Sequence, residues 1–385
     1  MYAKILVVDD EPDLELLIRQ MFRQKIREKE YDFSFAKNGV EALERLQDDH
    51  NIDLVLTDIN MPEMDGLTLL TKMNELPNPL LRSIIVSAYG DMTNIRTAMN
   101  RGAFDFVVKP IDLGDLEITI TKSLTDLMKL KEAVQSRDQL IAIRQELDIA
   151  RTIQMSMLPV KFPAFPEHKE FDVYAEMIPA MEVGGDFYDF FLIDQNHLGF
   201  AIGDVSGKGV PAALFMAVCK TVLKTTALKG LPPEECMQQV NLILHLECVA
   251  SMFVTLFYGI LDLSNGEVAY CNGGHLPPCK IDKNGLVKPI ETTGNLALGV
   301  LANAAYTTKT ISLQPKEGLF LYTDGITEAM NKNYLEFGED RLLNSLKQPM
   351  KNAKDVTQRV INDVKSFAAD LAQSDDLTVL ALYYT

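Results

Sequence analysis

The apolar positions change their period along the chain. From residue 4 to about residue 110, short continuous apolar runs alternate with stretches of helical spacing. Lys4-Ile5-Leu6-Val7-Val8 leads into Asp9-Asp10, and Asp13 to Arg27 then places Leu14, Leu17, Ile18, Met21 and Phe22 on one helical face. Asp53 to Thr57, Ser83 to Val86 and Phe106 to Val108 are further apolar runs, followed by Asp58, Ser87 and Lys109. Such alternation predicts a parallel doubly wound sheet, whose ligands collect at the C-terminal strand ends. Asp9, Asp10, Asp58, Ser87 and Lys109 all fall on that edge.

Between Gly114 and Pro159 the chain has no Gly or Pro, and the period becomes seven. Leu113, Ile120, Leu127, Val134 and Ile141 carry it, with Leu116 and Leu130 at the companion position. Arg137 and Arg144 then take the companion position, and the apolar line moves to Leu140, Ile143, Leu147 and Ala150. This predicts a long helix over 112–158 whose seam changes register near Arg137 and pairs with a second copy as a coiled coil. A single amphipathic helix lying on one of the two domains is the alternative. Pro159, Pro163 and Pro166 stop the helix.

Residues 160–385 mix both patterns. Strands are expected at Asp172 to Glu176, Leu198 to Ile202, Met252 to Leu263, Glu267 to Cys271, Leu319 to Thr323 and Leu377 to Tyr384. Helices are expected at Gly209 to Leu228, Pro233 to Leu246 and Ala353 to Leu371. Ser264-Asn265-Gly266 reads as a hairpin turn. Two sheets with helices outside would bury this much apolar surface. The domains are therefore drawn at 1–125, 126–158 and 159–385.

Composition narrows the function classes. The 385 residues are 47% hydrophobic and 24% charged, with net charge −17, which argues against a nucleic-acid surface or an anionic-membrane anchor. No uninterrupted apolar run reaches the ~18 residues of a membrane span, and MYAKILVVDDEP lacks the plan of a signal peptide. Cys219, Cys236, Cys248, Cys271 and Cys279 show no C-x-x-C pair and read as small buried thiols. A cytoplasmic protein is expected.

Candidate chemistry lies in acids at the ends of apolar runs. Asp186 and Asp204 sit among glycines in GGDFYDFFLIDQNHLGFAIGDVSGKG, Asp324 follows Leu319-Phe320-Leu321-Tyr322, and Asp375-Asp376 precede Leu377 to Leu382. Carboxylates at buried strand ends are costly unless paired or metal-bound, and a set without Cys or His suits magnesium or manganese. Gly203 to Gly209 is not a nucleotide P-loop, because the spacing is one residue short and Lys208 precedes Gly209 rather than Ser or Thr.

Taken in order, GGDFYD, GDVSGKG, NGGHLPP, YTDGITE and SDDLTV resemble the SpoIIE-like branch of the PPM family of metal-dependent serine/threonine protein phosphatases. The resemblance covers about 155–385 and implies an α/β/β/α sandwich holding two manganese or magnesium ions. It places Asp186, Asp204, Asp324 and Asp375 in the catalytic metal site, with the Val205 carbonyl as a further ligand. The Asp375-Asp376 doublet leaves either acid open as the last ligand. The metal pair would activate a shared water for in-line attack on phosphorus. Asp189 would stabilise the loop or orient metal-bound water, and His275 reads as a hydrogen-bonded turn residue rather than a general acid. Glu146 through Pro159 resembles the helix that leads into many such domains.

VVDDE, LTDINMPEMDG, VSAYG and Lys109-Pro110 resemble the two-component receiver domain over residues 3 to about 122, which implies a five-stranded sheet. Asp58 would be the phosphoacceptor. Asp9, Asp10, Asp58 and the Asn60 carbonyl would bind magnesium, Asp9 through water. Lys109 would supply a fixed positive charge, and Ser87 and Phe106 would be the switch residues. The two resemblances together imply a response regulator, phosphorylated by a sensor histidine kinase or phosphotransfer protein. Its phosphatase would act on a phosphoserine or phosphothreonine protein, such as a STAS-type anti-anti-sigma factor. A catalytically silent adapter that binds a sigma-factor regulator is the rival expectation. A nucleic-acid-binding regulator is disfavoured by the acidic balance.

Overall fold

The computed structural model describes residues 2–88, 90–247, 252–347, 352–369 and 371–385. Tyr89 and Cys248 lie outside the described residues. The chain divides into two compact units, Met1–Ile143 and Arg144–Thr385.

In the first unit the expected alternation is present. The elements are β1 (Ala3–Val8), α1 (Pro12–Met21), α2 (Arg23–Arg27), β2 (Tyr31–Ala36), α3 (Gly39–Asp48), β3 (Leu54–Asp58), α4 (Gly66–Met73), β4 (Arg82–Ala88), α5 (Met92–Asn100) and β5 (Asp105–Lys109). The strands form a parallel sheet of order β2-β1-β3-β4-β5. The chain steps to one side of β1 and then back to the other, so the loops after β1 and β3 diverge. A crevice opens there, at the carboxyl ends of the strands. Alternate strand residues separate two apolar layers: Ile5 and Val7 pack with Ile18 and Phe22, while Leu6 and Val8 pack with Ala42 and Leu69.

Helix α6 (Leu113–Met157) is one 45-residue element. Its early turns correct the heptad reading. Leu116, Ile120, Leu124 and Leu127 are buried in the core of the first unit, so Ile120 and Leu127 are not free for a second helix. A helix that covers a sheet repeats its apolar residues at three and four, and over two turns this spacing is indistinguishable from a heptad. Val134, Leu140, Ile141, Ile143, Ile149 and Ile153 are exposed.

The second unit contains β6 (Phe171–Ile178), β7 (Phe187–Leu192), β8 (His197–Val205), α7 (Val210–Ala227), α8 (Pro233–Glu247), β9 (Val254–Asp262), β10 (Glu267–Gly273), β11 (Cys279–Ile281), β12 (Val287–Pro289), β13 (Lys309–Ser312), β14 (Gly318–Tyr322), α9 (Asp324–Thr327), α10 (Gly338–Leu346), α11 (Ala353–Ala368) and β15 (Leu377–Tyr384). Two antiparallel sheets have orders β13-β10-β9-β8-β7 and β12-β11-β14-β15-β6. Strand alternation shows the layering. Leu319, Leu321, Leu380 and Leu382 pack in the core that contains the first of these sheets, whereas Phe320, Tyr322, Val379 and Ala381 pack with Val356, Val360 and Leu342 of α11 and α10. Met216 and Leu223 of α7 and Val240 and Leu244 of α8 join the first-sheet core. The result is the expected α/β/β/α sandwich.

Among the described residues, α7 alone is long and apolar enough by composition to cross a membrane. Ala212, Met216, Cys219, Leu223 and Ala227 of that helix are buried in the core instead. Cys219, Cys236, Cys271 and Cys279 are buried, as expected from their apolar settings.

Candidate functional site

The crevice of the first unit gathers acids because β1 and β3 are neighbours, β1 running into Asp9-Asp10 and β3 ending in Asp58. Asp9, Asp10 and Asp58 each bring a carboxylate oxygen within 4.8 Å of the others. Lys109 Nζ, from the end of β5, lies 2.8 Å from Asp58 Oδ2, 3.2 Å from Asp9 Oδ2 and 3.1 Å from Glu11 Oε1. Burial opposes the lysine's charge, yet its bonds to Asp58 and Glu11 hold its pKa above the ordinary value. Burial raises the pKa of Asp9. Three hard oxygen donors against one lysine fit a magnesium-sized cation. Gly66 closes over the acid: a Cβ there would lie 2.1 Å from the Asp58 carbonyl oxygen. Ser87 is fully buried, and its hydroxyl has no hydrogen-bond partner among the described residues. Phe106 is half-buried against Ile59, Leu70, Ile85 and Ala98.

The second unit gathers acids from both sheets. Phe187 pairs with Gly203, which sets Asp186, just before β7, beside Asp204 near the end of β8. Tyr322 pairs with Val379, so Asp324 and the Asp375-Asp376 pair flank adjoining ends of β14 and β15. The Thr323 hydroxyl links the sheets by donating to Asp186 Oδ2 at 2.7 Å. Burial, then the charges of Asp204 and Asp376, push Asp186 well above the usual carboxylate range. Burial, then Asp324 and Asp375, push Asp204 up to about 7. Burial and Asp375 raise Asp324. Lys208 supplies local positive charge, with Nζ 2.8 Å from Asp375 Oδ2 and bonded to the Ser374 carbonyl at 2.7 Å. Carboxylates this buried and mutually repelled, with one lysine at their rim, suit divalent cations.

Comparison with known proteins follows both units. Residues 5–121 match the family model of the response regulator receiver domain, and residues 194–385 match that of Stage II sporulation protein E, SpoIIE. The chain joins a receiver domain to a SpoIIE-type domain. Protein IcfG of Synechocystis sp. is 30% identical over 267 residues, 62% of this chain and 42% of its own length, so the match spans less than half of that relative. Phosphoserine phosphatase RsbU of Bacillus subtilis is 28% identical over 248 residues, covering 62% of this chain and 70% of its own. The SiaA-PP2C domain of Pseudomonas aeruginosa superposes with a TM-score of 0.57 at 19% identity, covering 64% of this chain and 98% of that one, a likeness of fold.

Within the SpoIIE-type domain the structure separates the acidic doublet. Asp376 is buried and spends its carboxylate on backbone: Oδ2 accepts from the Gly185 and Asp186 amides at 2.8 and 3.3 Å, and Oδ1 from the Ala180 amide at 2.8 Å. Asp375 faces Lys208 and the charge of Asp324. Asp376 is thus a brace for the GGD loop, which the doublet alone did not reveal. Asp189, expected to stabilise the loop or to orient metal-bound water, is paired with helix α7 instead. It is fully buried and pairs with Lys220 at 2.6 Å and Lys224 at 3.8 Å, both on α7.

His275 is buried between the sheets. Nε2 lies 3.1 Å from the Tyr322 carbonyl and must donate to it, so Nδ1 accepts from the Thr255 hydroxyl at 2.9 Å. Burial pushes its pKa down to about 4, so the ring is neutral near pH 7. The Val205 carbonyl faces the glycine pair, since a Cβ on Gly185 would lie 2.9 Å from it. In the receiver domain the Asn60 amide approaches Asp58 Oδ1 at 3.4 Å.

Proposed function

We propose that the chain is a response regulator whose output is a metal-dependent protein serine/threonine phosphatase. The observation that carries this reading is the convergence of Asp186, Asp204, Asp324 and Asp375 from two sheets, with burial and mutual repulsion raising Asp186, Asp204 and Asp324. In this reading Asp186, Asp204, Asp324, Asp375 and the Val205 carbonyl hold two manganese or magnesium ions. A bound pair supplies an activated water and neutralises phosphoryl oxygens. The chain's own part is to fix the donors: Thr323 orients Asp186, Asp376 braces the loop that carries it, and Lys208 sets positive charge at the rim.

In the receiver domain, Asp9, Asp10, Asp58 and the Asn60 carbonyl would hold magnesium, and Asp58 would accept the phosphoryl group from a sensor histidine kinase or phosphotransfer protein. The unpartnered Ser87 hydroxyl is available to donate to that group. Phe106 would move as Ser87 does. The substrate would be a phosphoserine or phosphothreonine protein, supported by likeness to a relative named a phosphoserine phosphatase. A STAS-type anti-anti-sigma factor is the specific candidate. The exposed apolar residues of α6 from Val134 to Ile153 support a homodimer, and the free buried thiols of Cys236, Cys271 and Cys279 support a cytoplasmic location.

The test is manganese-dependent phosphate release from a phosphoserine protein and from an aryl phosphate. It is run with and without beryllofluoride, a mimic of phosphorylated Asp58. Turnover that Asp204→Asn abolishes and beryllofluoride changes is the expected result. Absence of turnover on either substrate, with no manganese bound in calorimetry, would overturn it in favour of the adapter.

A further inference from the structure

We propose that an apolar groove beside Asp375 holds the substrate chain next to its phosphoserine or phosphothreonine, and selects segments with apolar side chains there. The inference rests on the phosphatase reading above. The groove encloses about 420 Å³ between the segment that follows α9 and the end of α11. Ala329, Val364 and Leu377, all buried, give it an apolar base. Met330 and Tyr334 line it from the segment after α9 and Leu371 from the segment after α11, and these three are exposed. Gly325 and Asp375 line it as well, so it opens onto the acidic centre.

Both walls are held by defined bonds. The Asn331 amide donates to the Leu335 carbonyl at 3.0 Å, Asn331 Oδ1 accepts from the Asn333 and Leu335 amides at 2.9 and 3.1 Å, and Met330 pairs with Glu336. This tight hairpin keeps Tyr334 at φ 58°, a conformation that bulky residues rarely adopt, and leaves it 85% exposed. An aromatic presented to water on a pre-ordered turn is the residue type that anchors interfaces. On the other wall, Gln373 Nε2 donates to the Ile178 and Asp375 carbonyls, both at 2.7 Å. That wall is therefore tied to β6 and to the acid itself.

A phosphoryl group at the acids brings its serine with it, and the residues flanking that serine must lie on the surface adjoining the centre. The groove is such a surface. Lys365 lines it, and Lys208 lies 2.8 Å from Asp375 Oδ2, so the approach carries positive charge that suits a phosphorylated segment. An apolar residue seated over Val364 and Leu377 would leave water, which is worth about tenfold or more in kcat/KM over a serine.

The test uses the full chain with manganese and two short phosphoserine peptides, one with leucines on both sides of the phosphoserine and one with serines in their place. Wild type should prefer the leucine peptide about tenfold or more in kcat/KM, chiefly through KM. In Tyr334→Ser and Leu371→Ser, with folding read by thermal melting, the preference should fall to within about twofold. The two exposed positions lie on different segments, so if one variant fails to fold the other carries the test. A wild-type preference within about twofold, or one that keeps its wild-type size in a folded variant, would overturn the proposal. Loss of a dimer in sedimentation with the preference unchanged would overturn it in favour of a second copy in the groove. Wild type that releases no phosphate from either peptide or from p-nitrophenyl phosphate would sink the phosphatase reading instead. Fluorescence anisotropy of the same peptides, labelled, would then still read whether the groove prefers leucine, and equal binding of both would overturn it.

Discussion

His275 uses one ring nitrogen as donor and the other as acceptor, so protonation would cost it the bond from Thr255. Its pKa is depressed to about 4 from the ordinary 6.5, so the unfolded chain binds a proton there first as pH falls. Stability from the neutral ring is full above pH 6.5 and is lost as pH drops toward 4, by about 3 kcal/mol at most. The pH dependence of unfolding in wild type minus that in His275→Gln should show this slope between pH 6.5 and 4. An equal slope in both proteins would refute it.

Asp204 presents the opposite case, a carboxylate held above its unfolded pKa by burial and like charges. Without metal, stability falls as pH rises from about 4 toward 7, and the penalty is complete above about 7. Asp204→Asn should therefore stabilise the metal-free domain at pH 8 by about 1–4 kcal/mol while abolishing turnover, as read by denaturant melts and phosphate release. At this scale the acids were legible in the sequence because each ends an apolar run among glycines or turn residues. The role of Asp376 was hidden because its partners are backbone amides nearly two hundred residues away in the chain.

Helix α6 was read correctly in extent, but its first turns were assigned to the wrong surface. The absence of Gly and Pro gave its length. The heptad from Leu113 to Leu127 suggested a helical partner, but Leu116, Ile120, Leu124 and Leu127 cover the receiver's own sheet. Leu124→Ala should cost the receiver about 2–5 kcal/mol in chemical denaturation. Ile143→Ser and Ile149→Ser, at exposed positions, should leave monomer stability within about 0.5 kcal/mol. If the linker pairs, they should weaken self-association in sedimentation; an unchanged dimer would sink the pairing. β7 was missed because Phe187-Tyr188-Asp189-Phe190-Phe191 is buried on both faces and shows no alternation. β11, β12 and β13, of three or four residues each, are too short to show a period.

At the scale of the molecule, the change from helical alternation to paired long strands marked two folds before any contact was known. The division between units lies within α6, at Ile143–Arg144. Nothing in the sequence marks that point, because the helix continues through it. Chelation should act on the two units separately. In calorimetry, manganese should raise the transition of the SpoIIE-type domain in wild type but not in Asp204→Asn, with the receiver transition the same in both proteins. A shift of both transitions together would show that the units unfold as one.

The strand Leu377–Tyr384 lies between β14 and β6, inside its sheet rather than at an edge. Translation delivers it after every other strand described, together with Asp375 and Asp376. The receiver can therefore be complete on the ribosome while the SpoIIE-type domain still lacks an inner strand and two of its acids. At about 5–20 residues per second, that interval lasts on the order of tens of seconds. A chain cut before Asp375 would keep the receiver domain and leave the SpoIIE-type domain without an inner strand. In the reading proposed above, such a fragment would still accept phosphoryl groups and act as a decoy toward the intact protein.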